Sequence, residues 1–257
     1  TGVIFTMLIY MFILIYGGMV MQGVMEEKTN RIIEIMISSV KPFDLMMGKI
    51  IGIGFVGLTQ VFLWAVMTFI LITGGTFFLG GGMESEILQS SMALNTTPNM
   101  TAIAAQQHGN EWIEMLHTIN FTEIGILFIA YFIGGYLLYS SLFAAIGAAV
   151  DNETDSQQFL TPLSIILVIG LYIGFAAMKS PESPMVFWSS LIPFTSPIVM
   201  LVRIPFGVPT WEILTSMALL IVSFIFFTWL SGKIYRIGIL MYGKKVTWKE
   251  LYKWLKY

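Results

Sequence analysis

Five long apolar stretches alternate with more polar segments along the chain. They occupy residues 3–24, 50–73, 124–150, 160–178 and 213–230. Each is close to the about 20 residues that a helix needs to cross the hydrocarbon core of a bilayer. None of them contains Asp, Glu, Lys, Arg or His, and none shows the alternation that is typical of a membrane β-barrel strand. The pattern therefore predicts an all-α integral membrane protein with five transmembrane helices in one domain, 1–257.

The basic residues predict how the chain is oriented. Eleven of the 13 Lys and Arg residues lie in the segment 25–49 and in the tail 231–257. The loop 74–123 has no basic residue, although it holds five glutamates. By the positive-inside rule, the segment 25–49 and the C-terminus lie in the cytoplasm, and the loops 74–123 and 179–212 are external.

Five spans with a cytoplasmic C-terminus leave the N-terminus outside. The sequence begins with Thr1, almost at once inside an apolar stretch, without a charged flank before it. We expect this to be the C-terminal part of a longer protein with at least one further span. The alternative is a true external N-terminus.

Composition agrees with a chain dissolved in lipid. Apolar residues make up 56% of the chain, and charged residues make up only 11%, well below a typical soluble domain. A net charge of −2 gives no reason to expect a nucleic-acid partner, and the absence of cysteine excludes disulfides and thiol chemistry. His108 and His117 lack metal-ligand spacing, so no metal site is predicted.

The segment 25–49 has the pattern of an amphipathic helix between two spans. Apolar residues recur every four positions from Ile32 to Val40, while Glu27 and Arg31 are spaced to pair along a polar face. Pro42 is expected to end this helix. Such a helix can lie in the membrane interface or present its charged face to a cytosolic protein. A solvated connector is the plainer alternative.

The loop 179–212 is apolar but contains six prolines, which predicts short interfacial or re-entrant helices. Its Arg203 is expected to pair with lipid head groups or with Glu212. The tail 231–257 predicts a basic amphipathic helix suited to an anionic leaflet. Small residues four apart, Gly48 with Gly52 and Gly170 with Gly174, allow close helix packing.

Three motifs resemble those of the ABC-2 type exporter permeases, and most closely the sodium-extruding, NatB-like members. The first, between the first two spans, comprises Glu26, Glu27, Lys28, Arg31, Glu34, Ser38, Ser39 and Pro42, followed by Leu45, Gly48 and Lys49. The second comprises Ile192, Pro193, Phe194, Thr195, Ser196, Pro197, Met200 and Arg203. The third and weakest comprises Gly147, Ala148, Asp151, Gln157, Gln158 and Pro162.

The resemblance implies a six-helix transmembrane domain of which five helices are present here. It implies that the first motif is a coupling helix that docks on an ATP-hydrolysing subunit, so Glu26 to Pro42 of that motif become candidate ATPase-coupling residues. It also implies that Pro193, Phe194, Ser196, Pro197 and Arg203 belong to re-entrant helices that cap the transport pathway. The implied partners are a dimer of ABC ATPase subunits, which hold ATP and Mg, and a second permease subunit in a bacterial plasma membrane.

The residues themselves agree with an external energy source. The spans lack the acids, histidines and cations that an ion-driven transporter keeps at membrane depth, and the chain has no phosphate-binding P-loop. Taken with the resemblance, this favours an ATP-driven exporter, with no catalytic residues in this chain. The uncharged spans permit a hydrophobic or amphipathic substrate, and the resemblance implies sodium, so both are kept. The alternatives are a non-transporting scaffold or assembly subunit and, less favoured, a lipid-modifying membrane enzyme.

Overall fold

A computed structural model describes residues 2–30, 40–93, 121–241 and 250, and within these the chain is helical, without strands. Seven α-helices and one 3₁₀ turn follow one another along these residues. They are α1 (Gly2–Thr29), α2 (Pro42–Ala93), α3 (Phe121–Ala149), α4 (Glu153–Lys179), α5 (Pro184–Leu191), α6 (Ser196–Arg203), the 3₁₀ turn (Ile204–Phe206) and α7 (Thr210–Gly238).

Five of these helices are long and apolar enough to cross a membrane. The apolar spans within them are Thr6–Thr29, Pro42–Gly75, Ile124–Ala149, Thr154–Lys179 and Thr210–Gly238. Each contains most of one stretch that the hydropathy pattern selects. The prediction of an all-α membrane protein with five spanning helices is confirmed.

The first two helices extend further toward each other than their apolar stretches do. α1 continues to Thr29, and α2 begins at Pro42. The helix that Pro42 is expected to end falls on residues outside the described ranges, so that expectation stays a prediction. Proline suits the first position of a helix because the N–H that it lacks would have no partner there, and Asp44 in the first turn favours the positive end of the helix dipole. The amphipathic helix predicted around Arg31 and Glu34 lies outside the described residues.

The helix α2 also corrects the prediction of a loop from residue 74 onward. It continues through the glycines at 74–75 and 80–82 to Ala93. A glycine inside a helix costs only about 1 kcal/mol relative to alanine. The segment 83–89 is rich in Met, Glu, Leu and Gln, which favour helix, so the glycines do not terminate it. The two histidines of this loop, His108 and His117, and the remainder of the loop lie outside the described residues.

The chain divides into two compact units, one formed by Thr1–Gly57 with Thr122–Tyr257 and one formed by Leu58–Phe121. In its described part, the second unit consists of the continuation of α2 to Ala93. The helices and charged groups discussed below belong to the first unit.

The centre of the first unit is α6, an eight-residue helix whose residues are all buried. It packs against α1, α4, α5 and α7. On one side its Val199 and Val202 join a buried apolar cluster with Ile173, Ala177 and Val186. A short helix therefore occupies the position around which the longer helices are arranged.

Close approach of α1 and α3 depends on glycine. A Cβ on Gly147 would lie 2.6 Å from the backbone oxygen of Met21, and a Cβ on Gly17 would lie 2.5 Å from the ring of Phe143. Both distances are shorter than atoms in contact allow. Small residues here bring the two backbones together, as in other membrane helix pairs.

Candidate functional site

Two groups of charged side chains lie at opposite ends of the helices of the first unit. We call the first the Lys28 cluster; it comprises Glu27, Lys28, Lys49 and Asp151 and lies where α1 and α3 end and α2 and α4 begin. The second, the Arg203 cluster, comprises Pro181, Ser190, Arg203 and Glu212 and lies where α4 ends and α7 begins.

Lys28 is the most buried charged side chain of the Lys28 cluster. Only 1% of it is exposed. Its Nζ donates a hydrogen bond to the backbone oxygen of Ala148 at 2.8 Å and lies 2.8 Å from Asp151 Oδ1. Because Ala148 is in the last turn of α3, the ammonium also meets the negative end of that helix, where the last carbonyls lack helical partners. Lys28 therefore fastens the end of α1 to the turn between α3 and α4.

Its neighbour Glu27 ties the same turn of α1 to a different helix. Glu27 Oε2 lies 2.7 Å from Lys49 Nζ on α2, and both side chains are partly exposed. Two consecutive residues of α1 thus form ion pairs in two directions.

Two other candidate ATPase-coupling residues are among the described residues. Glu26 is exposed on α1, and Pro42 is the first residue of α2. Four of the candidates, Arg31, Glu34, Ser38 and Ser39, lie outside the described residues. The structure brings Glu27 and Lys28 together with Lys49 of the same motif and with Asp151 of the third motif.

Sequence reasoning did not pair Lys28 with Asp151. Asp151 belongs to the weakest motif, and two spans separate it in sequence from its partner Lys28. The available signal is its position, an acid two residues after the small-residue run that ends α3 at Ala149. This position alone does not identify Lys28 as the residue that pairs with Asp151.

The Arg203 cluster is built around one buried guanidinium. Arg203 Nε donates to the backbone oxygen of Pro181 at 3.0 Å, and Nη1 donates to Ser190 Oγ at 2.6 Å. The same Nη1 lies 2.8 Å from Glu212 Oε2, and both charged side chains are more than nine-tenths buried. Of the two partners that the sequence allowed for Arg203, the structure has Glu212.

The contacts of Arg203 join four segments of the chain. Pro181 follows α4, Ser190 is on α5, Arg203 ends α6 and Glu212 is in the first turn of α7. A further hydrogen bond runs from Ser216 Oγ on α7 to the backbone oxygen of Ser190 at 2.7 Å. The short helices are therefore held to both neighbouring spans by polar contacts, which suits irregular backbone that lies against protein.

The other residues of the second motif hold α6 in place. The backbone oxygen of Phe194 accepts a hydrogen bond from Tyr139 at 2.8 Å. Pro197 packs against α3, where a Cβ on Gly135 would lie 2.9 Å from its side chain. Pro193 is half-buried, and Ser196 is buried as the first residue of α6. These contacts give the motif a structural role in packing the buried helix.

A cavity of about 450 Å³ opens beside the Arg203 cluster. Its lining comes from the connections at either end of α5 and α6. The residues that line it are Pro181, Glu182, Pro184, Phe187, Trp188, Arg203, Phe206, Gly207, Val208, Pro209 and Glu212. Its size is within the range of small-molecule sites.

Metal chemistry finds no support in the described part of the chain. Among residues 2–30, 40–93, 121–241 and 250, no group of three or more His, Cys, Asp or Glu side chains could hold a metal ion. The two charged clusters are ion pairs between acids and bases, which serve to join helices.

A bundle of five apolar helices, with ion pairs at both ends and short helices folded between two spans, is a multi-pass membrane protein. Residues 1–233 match the family model described as ABC-2 family transporter protein. The chain belongs to this family of membrane transporter proteins.

Two curated relatives resemble the chain over nearly all of its length. The uncharacterized protein YhaP of Bacillus subtilis is 28% identical over 253 residues, which cover 97% of this chain and 54% of the relative. The uncharacterized protein MJ1024 of Methanocaldococcus jannaschii is 28% identical over 250 residues, which cover 97% of this chain and 52% of the relative. The chain spans about half the length of these relatives. No solved structure matches it.

Proposed function

We propose that this chain is the permease part of an ATP-driven exporter, which moves sodium or a hydrophobic or amphipathic substrate out of the cytoplasm. ATP and Mg are bound by a dimer of separate ATPase subunits. A second permease subunit, identical or different, completes the pathway. The membrane is the bacterial plasma membrane, with the Lys28 cluster and the C-terminus on the cytoplasmic side, where the basic residues are concentrated.

The observation that carries the proposal is the pair of links made by Glu27 and Lys28. One joins α1 to α2, and the other joins α1 to the turn between α3 and α4. Both ion pairs are made by the end of α1, just before the connection between α1 and α2 begins. That connection holds the remaining ATPase-coupling candidates. A membrane component that receives force from a cytosolic partner needs such a connection to be fixed to several helices.

The mechanism follows from these contacts. A partner that binds the connection through Arg31 and Glu34 and then moves displaces the last turn of α1. Because Lys28 is buried and bonded to both Ala148 and Asp151, the displacement of that turn also moves the end of α3 and the start of α4. Packed elements joined by such contacts tend to shift between discrete arrangements, which permits alternating access.

The test uses the protein as its genome encodes it, purified with the ATPase subunit encoded beside it. We expect the variant Glu27→Gln/Arg31→Gln/Glu34→Gln to lose most complex formation and ATP-dependent export. The matched control is Lys179→Gln, which neutralises an exposed charge at the other end of the bundle. Wild-type levels of assembly and export in the triple variant would contradict the docking proposal.

A second variant separates transmission from docking. Lys28→Met leaves Arg31 and Glu34 unchanged, so the ATPase subunit is expected still to bind, but the link to Asp151 is lost. We expect ATP hydrolysis to persist while export falls at least tenfold. Adding sodium or amphipathic compounds to the wild-type complex and measuring the stimulation of hydrolysis identifies the substrate. A scaffold subunit would show no stimulation and no export with any compound.

A further inference from the structure

The cavity beside the Arg203 cluster carries an excess of negative charge. Its lining includes one cation, Arg203, and two carboxylates, Glu182 and Glu212, which gives a net charge of −1. Arg203 is already neutralised by Glu212 at 2.8 Å and bonded to Pro181 and Ser190. Glu182 is exposed and adds a carboxylate that is not part of this ion pair. The charge of the site therefore favours a cation and disfavours an anion.

Aromatic rings line the same cavity. Phe187 and Trp188 are neighbours whose ring centroids lie 5.4 Å apart in an edge-to-face arrangement, and Trp188 is 64% exposed. The ring of Phe187 already lies 5.8 Å from the guanidinium carbon of Arg203. Phe206 contributes a third ring. Aromatic faces beside carboxylates are the surroundings in which proteins bind ammonium groups.

The depth of the cavity suits the head group of an amphiphile. All its lining residues but one lie between Lys179, where one apolar span ends, and Thr210, where the next begins, and the remaining one, Glu212, is in the first turn of that next span. Trp188 and Trp211 are both more than half exposed at this level, as tryptophans at a membrane–water interface are. From there the exposed apolar side chains Leu214, Ile221 and Val222 continue along α7 toward the middle of the span. A tail could lie along this surface while the head group occupies the cavity.

We propose that this cavity binds the ammonium head group of an amphiphile, with Glu182 and Glu212 supplying the negative charge and Phe187 and Trp188 the aromatic surface. Two sources have this chemistry: a bilayer lipid with an ethanolamine head group, or a free alkylammonium compound. The site is separate from the Lys28 cluster, and binding to it requires neither ATP nor an ATPase subunit.

The test measures binding to the purified protein in nanodiscs made of phosphatidylglycerol alone. Decyltrimethylammonium is compared with decyl sulfate and decyl maltoside, which have the same tail. We expect one saturable site for decyltrimethylammonium and only non-saturable partitioning for the other two. In a parallel arm, native mass spectrometry of protein released from mixed nanodiscs measures the retention of phosphatidylethanolamine. Retention of that lipid assigns the site to bilayer lipid, and binding of decyltrimethylammonium without such retention assigns it to a free amphiphile.

Variants locate the site. Glu182→Gln removes an exposed charge and is expected to raise the Kd of decyltrimethylammonium about fivefold, as an exposed ion pair does. Trp188→Ala is expected to raise it about threefold through the lost cation–π contact. The control Asp44→Asn makes the same acid-to-amide change on the exposed start of α2 and leaves the Kd unchanged. Equal binding of decyl sulfate, or a Kd unaffected by Glu182→Gln, overturns the proposal.

Discussion

Lys28 Nζ lies 2.8 Å from Asp151 Oδ1, so the last turn of α1 is fastened to the turn between α3 and α4. The ammonium is 1% exposed and the carboxylate is 27% exposed, which makes this a bridge with one buried end. Removing the partner of a buried charge is more destabilising than removing a pair at the surface.

Replacement of Lys28 by methionine should lower the stability of the protein strongly. The substitution keeps the length of the side chain but leaves Asp151 and the backbone oxygen of Ala148 without their shared partner. We expect a loss of about 3 kcal/mol in the free energy of unfolding, the lower end for a broken buried pair, because Asp151 retains some solvent. Thermal unfolding in detergent, followed by tryptophan fluorescence, measures it.

The matched control is Glu27→Gln, which breaks the partly exposed pair with Lys49. Its effect should stay at about 1 kcal/mol or below. Adding Asp151→Asn to Lys28→Met should restore part of the loss, since the carboxylate charge that Lys28 balanced is then removed as well. Equal destabilisation by Lys28→Met and Glu27→Gln would show that burial of Lys28 does not determine the strength of the link.

The approach of α1 to α3 should be sensitive to a single methyl group. Gly147→Ala places a Cβ 2.6 Å from the backbone oxygen of Met21, so the two helices must separate. We expect a destabilisation of about 1–3 kcal/mol, as for other overpacked sites. Gly18→Ala is the control on α1, where a Cβ meets nothing within 4 Å. It should be neutral or stabilising by up to about 1 kcal/mol through helix propensity.

The hydroxyl groups of two buried tyrosines, Tyr139 and Tyr131, should contribute different amounts to the stability of the protein. Tyr139 donates to the backbone oxygen of Phe194 at 2.8 Å, whereas Tyr131 donates to that of Ile213 at 3.3 Å. Tyr139→Phe should therefore cost about 1–2 kcal/mol and Tyr131→Phe clearly less. Comparing the two melting temperatures tests the ranking, and a larger effect at Tyr131 would contradict it.

The geometry of the guanidinium, and not its charge alone, should matter at Arg203. Its Nε and Nη1 reach Pro181, Ser190 and Glu212, which come from three different segments. A lysine ammonium is a point charge without this planar fork, so Arg203→Lys should lose about 2 kcal/mol in spite of its conserved charge. The exposed Arg236→Lys, measured in the same unfolding assay, should change stability by less than about 0.5 kcal/mol.

The spanning helices could be predicted from sequence because hydropathy is a local property of each stretch. Their polar ends could not, since the extension of α1 to Thr29 and the start of α2 at Pro42 depend on caps and on partners elsewhere in the chain. The continuation of α2 beyond Gly74 was missed for a related reason: glycines punctuate a helix only when the residues after them do not favour it.

The candidate site was accessible to sequence reasoning only in part. Arg203 and Glu212 are nine positions apart, so their pairing could be anticipated, whereas Lys28 and Asp151 are separated by two spans. Glycine spacing was equally ambiguous. Gly170 and Gly174 contact α6, while Gly48 and Gly52, with the same spacing, have open space where a side chain would lie. The spacing of two glycines indicates that another helix can pack closely against them, but it does not identify that helix.

The buried position of α6 constrains how the protein can be made. Eight helical residues extend about 12 Å, well short of the about 30 Å hydrocarbon core, so this segment cannot leave the translocon as a span of its own. Its Arg203 has no carboxylate partner until Glu212 has been synthesised at the head of α7. The ion pair that accompanies the burial of α6 can therefore form only after the start of α7 has been made.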